Sequence, residues 1–122
     1  MIDKKYFMDQ DIIRRNNFGQ LSYCKDCGTF HLTFSNILIE LSDRELRAFH
    51  MVVKEIDIDF WKNIPNNQTV RRNFPINTSQ QNLVLIFDFY ELEALKELVM
   101  ISESKRKEFI SYSEIDYEIS LN

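Results

Sequence analysis

The chain has 122 residues, of which 44% are hydrophobic and 28% are charged, and its formal net charge is −4. Length and composition fit one folded domain spanning residues 1–122, and ten phenylalanines argue against a disordered chain. The acidic balance argues against a nucleic-acid binder, because such proteins normally present a basic face.

The N-terminal segment MIDKKYFMDQDIIRRNN lacks the apolar run of a signal peptide, and no stretch reaches the length of a transmembrane helix. We therefore expect a cytoplasmic protein that does not associate with membranes. In that compartment both cysteines would stay reduced.

Three short segments in the first half have the character of strands. Gln20–Tyr23 is a short β-prone run, and Thr29–Phe34 alternates apolar with polar residues, as a half-buried strand does. Ser35-Asn36 then predicts a two-residue turn before a further strand at Ile37–Leu41.

A helix is predicted from Asp43 to Asp57. Ser42-x-x-Glu45 has the pattern of a capping box, in which each side chain accepts a hydrogen bond from an otherwise unpaired backbone N–H. An apolar stripe follows at helical spacing, formed by Leu46, Phe49, Val53 and Ile56.

The second half repeats this plan, with approximate units at residues 20–57 and 68–104. Strands are predicted at Gln68–Asn77 and Asn82–Asp88, and a helix at Tyr90–Ser104. Aligning Asn36–Glu55 with Asn82–Ile101 gives five identities, at Asn36/Asn82, Glu45/Glu91, Leu46/Leu92, Ala48/Ala94 and Val53/Val99. Convergent apolar patterning explains the match as well as duplication does. Either origin predicts an α+β fold, with an antiparallel sheet built from two ββα units and two helices on one face.

The C-terminal segment Glu114–Leu121 alternates apolar and acidic residues at a period of two. This pattern predicts an extra C-terminal strand that adds to the sheet edge or to another subunit. We therefore expect self-association, in the form of a homodimer.

The two cysteines lie in the motif Cys24-x-x-Cys27-Gly28 between two predicted strands, with the spacing of a zinc knuckle. Structural zinc requires four ligands, and the chain offers only His31 and His50 as further histidines. The candidate metal ligands are therefore Cys24, Cys27, His31 and His50 in one chain, or the cysteine pairs of two chains around one zinc ion.

Two other interpretations of the cysteine pair stay open. A thiol redox site is one, although here the pair leads into a strand rather than into a helix N-terminus, where the dipole would lower the pKa of the thiol. A plain turn between strands that holds two reduced thiols is the other.

No catalytic residues are predicted. With Gly19 and Gly28 as the only glycines, the chain has neither a glycine-rich phosphate loop nor a serine-hydrolase elbow. No two residues in the sequence can be assigned as a catalytic general acid and general base. An enzyme is therefore not expected, and no cofactor is predicted other than zinc.

The segment CKDCGTFHLTFSNILIELSDRELRAF, Cys24–Phe49, resembles a family of small bacterial proteins of unknown function. That family shows a Cys-x-x-Cys pair followed by His-Leu-x-Phe-x-Asn, which here correspond to Cys24, Cys27, His31, Leu32, Phe34 and Asn36. The resemblance implies a bacterial cytoplasmic origin and assigns no catalytic residue.

These observations favour a non-catalytic protein-interaction module that binds a protein partner or a second copy of itself. A zinc-knuckle regulator or scaffold is the first alternative, and a thiol redox protein is the second.

Overall fold

A computed structural model of the chain describes residues 10–63 and 72–110. In chain order the elements are β1 (Gln10–Arg15), β2 (Gly19–Cys24), β3 (Thr29–Phe34), β4 (Ile37–Leu41), α1 (Asp43–Glu55), α2 (Ile58–Lys62), β5 (Phe74–Asn77), β6 (Val84–Phe87), α3 (Phe89–Val99) and a helical segment, α4, at residues 103–110. Antiparallel sheets combine with helices, so the predicted α+β class is confirmed. The C-terminal strand predicted at 114–121 lies outside the described residues.

The strands form two sheets in the described ranges rather than one. β1 to β4 make an antiparallel meander in chain order, and β5 and β6 pair with each other in a separate two-stranded sheet. The register runs without a shift from β2 through β3 to β4, so that Leu21, Leu32 and Ile39 are directly opposite one another. The approximate repeat units stay a prediction.

The core lies on one face of the four-stranded sheet. α1 packs against β3 and β4, α3 packs against β1 and β2, and the two helices contact each other. The buried residues of the two helices are Leu46, Phe49 and Val53 in α1 and Leu92, Ala94, Leu95, Leu98 and Val99 in α3. The small sheet joins this core through Phe87, whose ring meets Phe34 edge-on at 5.5 Å.

Both long helices begin with the capping boxes that their sequences contain, at Ser42/Glu45 and Asp88/Glu91. Both also end earlier than the apolar pattern predicted. Ile56 leaves the helical conformation because the side chain of Asp57 accepts from the N–H of Phe60 and so begins α2. A new cap also follows the end of α3: the Oγ of Ser102 accepts from the N–H of Lys105 at the start of α4.

β1 was not predicted. Its register shifts between Ile12 and Arg14, which interrupts the period-two pattern that identifies a strand. Asn16 closes the turn to β2: its side-chain oxygen accepts from the N–H groups of Phe18 and Gly19, and its amide donates to the carbonyl of Ala94 in α3.

Candidate functional site

Cys24 and Cys27 are joined by a disulfide across the turn from β2 to β3. The expectation of two reduced thiols was therefore wrong for this structure. Cys24 is the last residue of β2 and pairs with Thr29, so the chain has to reverse within four residues. The N–H of Gly28 donates to the carbonyl of Cys24 at 2.8 Å, and Gly28 adopts φ 68°, a conformation that glycine tolerates best. This reversal brings the two Cα atoms to 5.3 Å, within the range of a disulfide.

The two sulfur-bearing residues differ in their surroundings. Cys24 is only 3% exposed, whereas Cys27 is exposed together with its neighbours Lys25 and Asp26. The backbone N–H of Cys27 donates to the Sγ of Cys24 at 3.1 Å. A donor at that distance would stabilise negative charge on the Cys24 sulfur once the disulfide is opened, because hydrogen bonding to a charged form favours it.

His31 lies on β3, on the same face of the sheet as Cys24 but two residue pairs further along, opposite Ser22. Its Nε2 is 3.2 Å from Thr29 Oγ1, and the hydroxyl of Thr29 donates to Glu40 at 3.2 Å. Burial lowers the pKa of His31, and the nearby carboxylate of Glu40 partly offsets that effect. Burial therefore favours the neutral form of the imidazole, which lies in a small polar cluster with Thr29 and Glu40.

His50 does not join this cluster. It lies on α1 between Leu46 and Val53, which belong to the core on one face of the sheet, whereas strand alternation places Cys24 on the other face. Among residues 10–63 and 72–110, no three or more histidine, cysteine or acidic side chains are grouped to hold a metal ion. The structure thus brings Cys24 and Cys27 together and sets His31 on their face, without assembling the four predicted zinc ligands. Zinc held between two chains stays a prediction.

A second candidate site lies along β4, which is at the edge of the larger sheet among residues 10–63 and 72–110. Edge strands commonly carry charges, proline or a bulge, which prevent pairing with other chains. β1, at the opposite edge, has both a bulge and the charged residues Asp11, Arg14 and Arg15. β4 has the sequence ILIEL and an uninterrupted register, so it has neither lysine, proline nor bulge.

Two grooves flank β4. One, of about 250 Å³, lies between β4 and α1 and is lined by Ile39, Leu41, Phe49 and Val52 together with the start of the 77–79 turn. The other, of about 270 Å³, lies between residues 37–40 of β4 and the end of the small sheet at 78–85. Both are mainly apolar, and Val52 in the first is 44% exposed.

Sequence patterns did not identify this second site. Both grooves are lined by β4 and by residues from 77–85, which are distant in the sequence. A single continuous sheet was expected to leave no groove between them. The available signal was the absence of lysine, proline and glycine from Ile37–Leu41.

In the part of the chain that the structure describes, no helix has the length and apolar character to span a membrane. A family model described as "Family of unknown function (DUF6686)" matches residues 7–122, and the chain therefore belongs to that family. This confirms membership of a family of unknown function, while the Cys-x-x-Cys segment as a feature of that family and a bacterial source stay predictions. No curated protein and no solved structure matches the chain.

Proposed function

We propose that this member of a family of unknown function is a protein-interaction module that adds an extended segment of a partner protein to the edge of β4. The observation that carries the proposal is the contrast between the two edges of one sheet. β1 has a bulge and three charged residues, whereas β4 has a regular backbone and four apolar residues out of five. Strand addition of this kind gains affinity from main-chain hydrogen bonds and specificity from flanking pockets.

The hydrogen-bonding capacity follows from the register. Phe34 and Ile37 close a two-residue turn, so they form a hydrogen-bonded pair, and bonded and non-bonded pairs then alternate along the strand. Leu38, opposite Thr33, is in a non-bonded pair. Its N–H and C=O therefore point away from β3, towards the edge where a partner strand would lie.

The grooves and their charges indicate the chemistry of the partner. Apolar side chains at alternate positions of an added strand would enter the groove beside Phe49 and Val52. The charged residues that line the two grooves are Glu40 and Glu45, both acidic. We therefore infer a segment that alternates apolar with basic or neutral residues, since like charges placed opposite each other destabilise a sheet.

Phage display of random peptides against the full-length protein tests the proposal. Selected peptides are expected to alternate apolar and basic residues. Replacing Leu38 with proline removes one N–H at the edge but no hydrogen bond to β3, because Leu38 and Thr33 form a non-hydrogen-bonded pair. The variant should bind peptides about tenfold more weakly, as expected for the loss of one hydrogen bond.

A matched pair of helix variants provides the control. Val52→Ser alters the groove wall and should weaken binding, whereas Met51→Ser changes the adjacent residue, which is 48% exposed and does not line either groove. Equal binding by wild type, Leu38→Pro and Val52→Ser would show that peptides bind elsewhere. Light scattering on the same samples tests the predicted homodimer, and a dimer lost in Leu38→Pro would identify a second copy as the occupant of the edge.

A further inference from the structure

We infer that Cys24 and Cys27 form a reversible thiol–disulfide exchange site in which Cys27 is the sulfur that carries the mixed disulfide with a partner dithiol. This inference does not rest on the proposed peptide binding at β4. It rests on the disulfide itself, on the unequal exposure of the two cysteine residues, and on the hydrogen bond that Cys24 Sγ accepts.

The disulfide is poorly suited to a purely structural role. It joins residues three positions apart, and the stabilisation that a disulfide confers grows with the length of the loop it closes. The turn is also held without it, by the hydrogen bond from Gly28 to Cys24 and by the pairing of Cys24 with Thr29. The same hydrogen bond and strand pairing can therefore hold the turn when the disulfide is reduced.

Exposure determines which sulfur reacts. An external thiolate can reach Cys27, which is exposed, but not Cys24, which is 3% exposed. Attack on Cys27 Sγ forms a new S–S bond and breaks the bond to Cys24, whose sulfur leaves with the electron pair as a thiolate. The N–H of Cys27, 3.1 Å from that sulfur, stabilises the charge that develops there.

The second step completes the exchange. The remaining thiolate of the partner dithiol attacks the partner sulfur of the mixed disulfide and expels Cys27 as a thiolate. The dithiol loses two electrons and becomes a disulfide, while Cys24 and Cys27 gain two electrons and take up the two protons. The same path in reverse oxidises the protein and reduces a partner disulfide.

Limited alkylation of the wild-type protein tests the order of reactivity without any substitution. The protein is reduced with dithiothreitol, the reductant is removed, and a limiting amount of iodoacetamide is added before peptide mapping by mass spectrometry. Cys27 is expected to be labelled about tenfold or more ahead of Cys24, because alkylation follows thiolate access. Equal labelling, or Cys24 labelled first, would overturn the inference.

A matched pair of variants tests the mixed disulfide. Cys24→Ser leaves the exposed thiol and Cys27→Ser leaves the buried one. Incubated with oxidised glutathione, Cys24→Ser should form the glutathione adduct about tenfold faster than Cys27→Ser. Redox titration of the wild type with glutathione should fit a two-electron couple. Failure of dithiothreitol to reduce the wild type, or zinc bound to the purified protein through these thiols, would contradict the exchange site.

Discussion

His31 is a buried ionisable residue whose charge state contributes to stability. Its imidazole contacts Thr29 Oγ1, and burial lowers its pKa from the usual value of 6.5. A histidine with a lowered pKa binds fewer protons in the folded chain than in the unfolded chain. Its contribution is therefore fully present above about pH 6.5 and is lost as the pH falls from there towards the folded-state pKa.

We expect the free energy of unfolding of the wild type to fall between about pH 7.5 and pH 5. His31→Gln should be less stable than the wild type near pH 7.5, and its free energy of unfolding should depend less on pH. Urea unfolding at several pH values, followed by circular dichroism, measures both. The range stays above the region where Glu45 titrates, since its hydrogen bonds with Ser42 lower the pKa of that carboxyl. An identical pH dependence in wild type and variant would contradict the assignment.

At the scale of elements, the N-terminus of α1 offers a direct test of the local signals. Ser42 Oγ accepts from the N–H of Glu45 at 3.1 Å, and the carboxylate of Glu45 accepts from the N–H of Ser42 at 2.9 Å. Ser42→Ala should lower the free energy of unfolding by about 1 kcal/mol, as loss of a cap does. Ser42→Asp keeps an acceptor and should retain most of the stability. Urea unfolding of the three proteins measures the difference, and equal stability of Ser42→Ala and wild type would show that the cap contributes nothing.

The elements that sequence predicted correctly are those encoded by nearby residues. The capping box at Ser42 and Glu45 begins α1, and the alternation in Thr29–Phe34 identifies β3. The bulge in β1 and the new caps at Asp57 and Ser102 were not predicted, because apolar periodicity does not show them. The separation of β5 and β6 into their own sheet depends on contacts between distant segments, which periodicity does not contain.

In the candidate sites, too, local geometry was predicted from the sequence and contacts between distant segments were not. The spacing of Cys24 and Cys27 predicted that they lie close together, because a turn between paired strands determines that geometry. It did not predict the disulfide or the unequal exposure of the two residues. The structure does not bring His50 to them, because neighbouring strand residues face opposite sides of a sheet and α1 packs on the side away from Cys24.

At the scale of the whole molecule, the two proposed sites lie on one sheet and are linked through side chains. Thr29, next to the cysteine turn, contacts His31 and donates to Glu40, which lines a groove beside β4. The core that supports both sites lies on the other face of the sheet and involves α1 and α3. The stability of the fold should therefore depend mainly on that core and little on the redox state of the turn.

We expect the reduced protein to remain folded. Chain-entropy arguments assign about 2 kcal/mol or less to a disulfide that closes four residues, which is below the usual cost of removing a structural disulfide. Urea unfolding with and without dithiothreitol measures the difference, and the double variant Cys24→Ser/Cys27→Ser should be insensitive to the reductant. If the wild type unfolded on reduction while the double variant stayed folded, the turn would not hold its shape with two free thiols. If both were unfolded, the disulfide would be a structural requirement of this sheet, and a reversible exchange site would be incompatible with the fold.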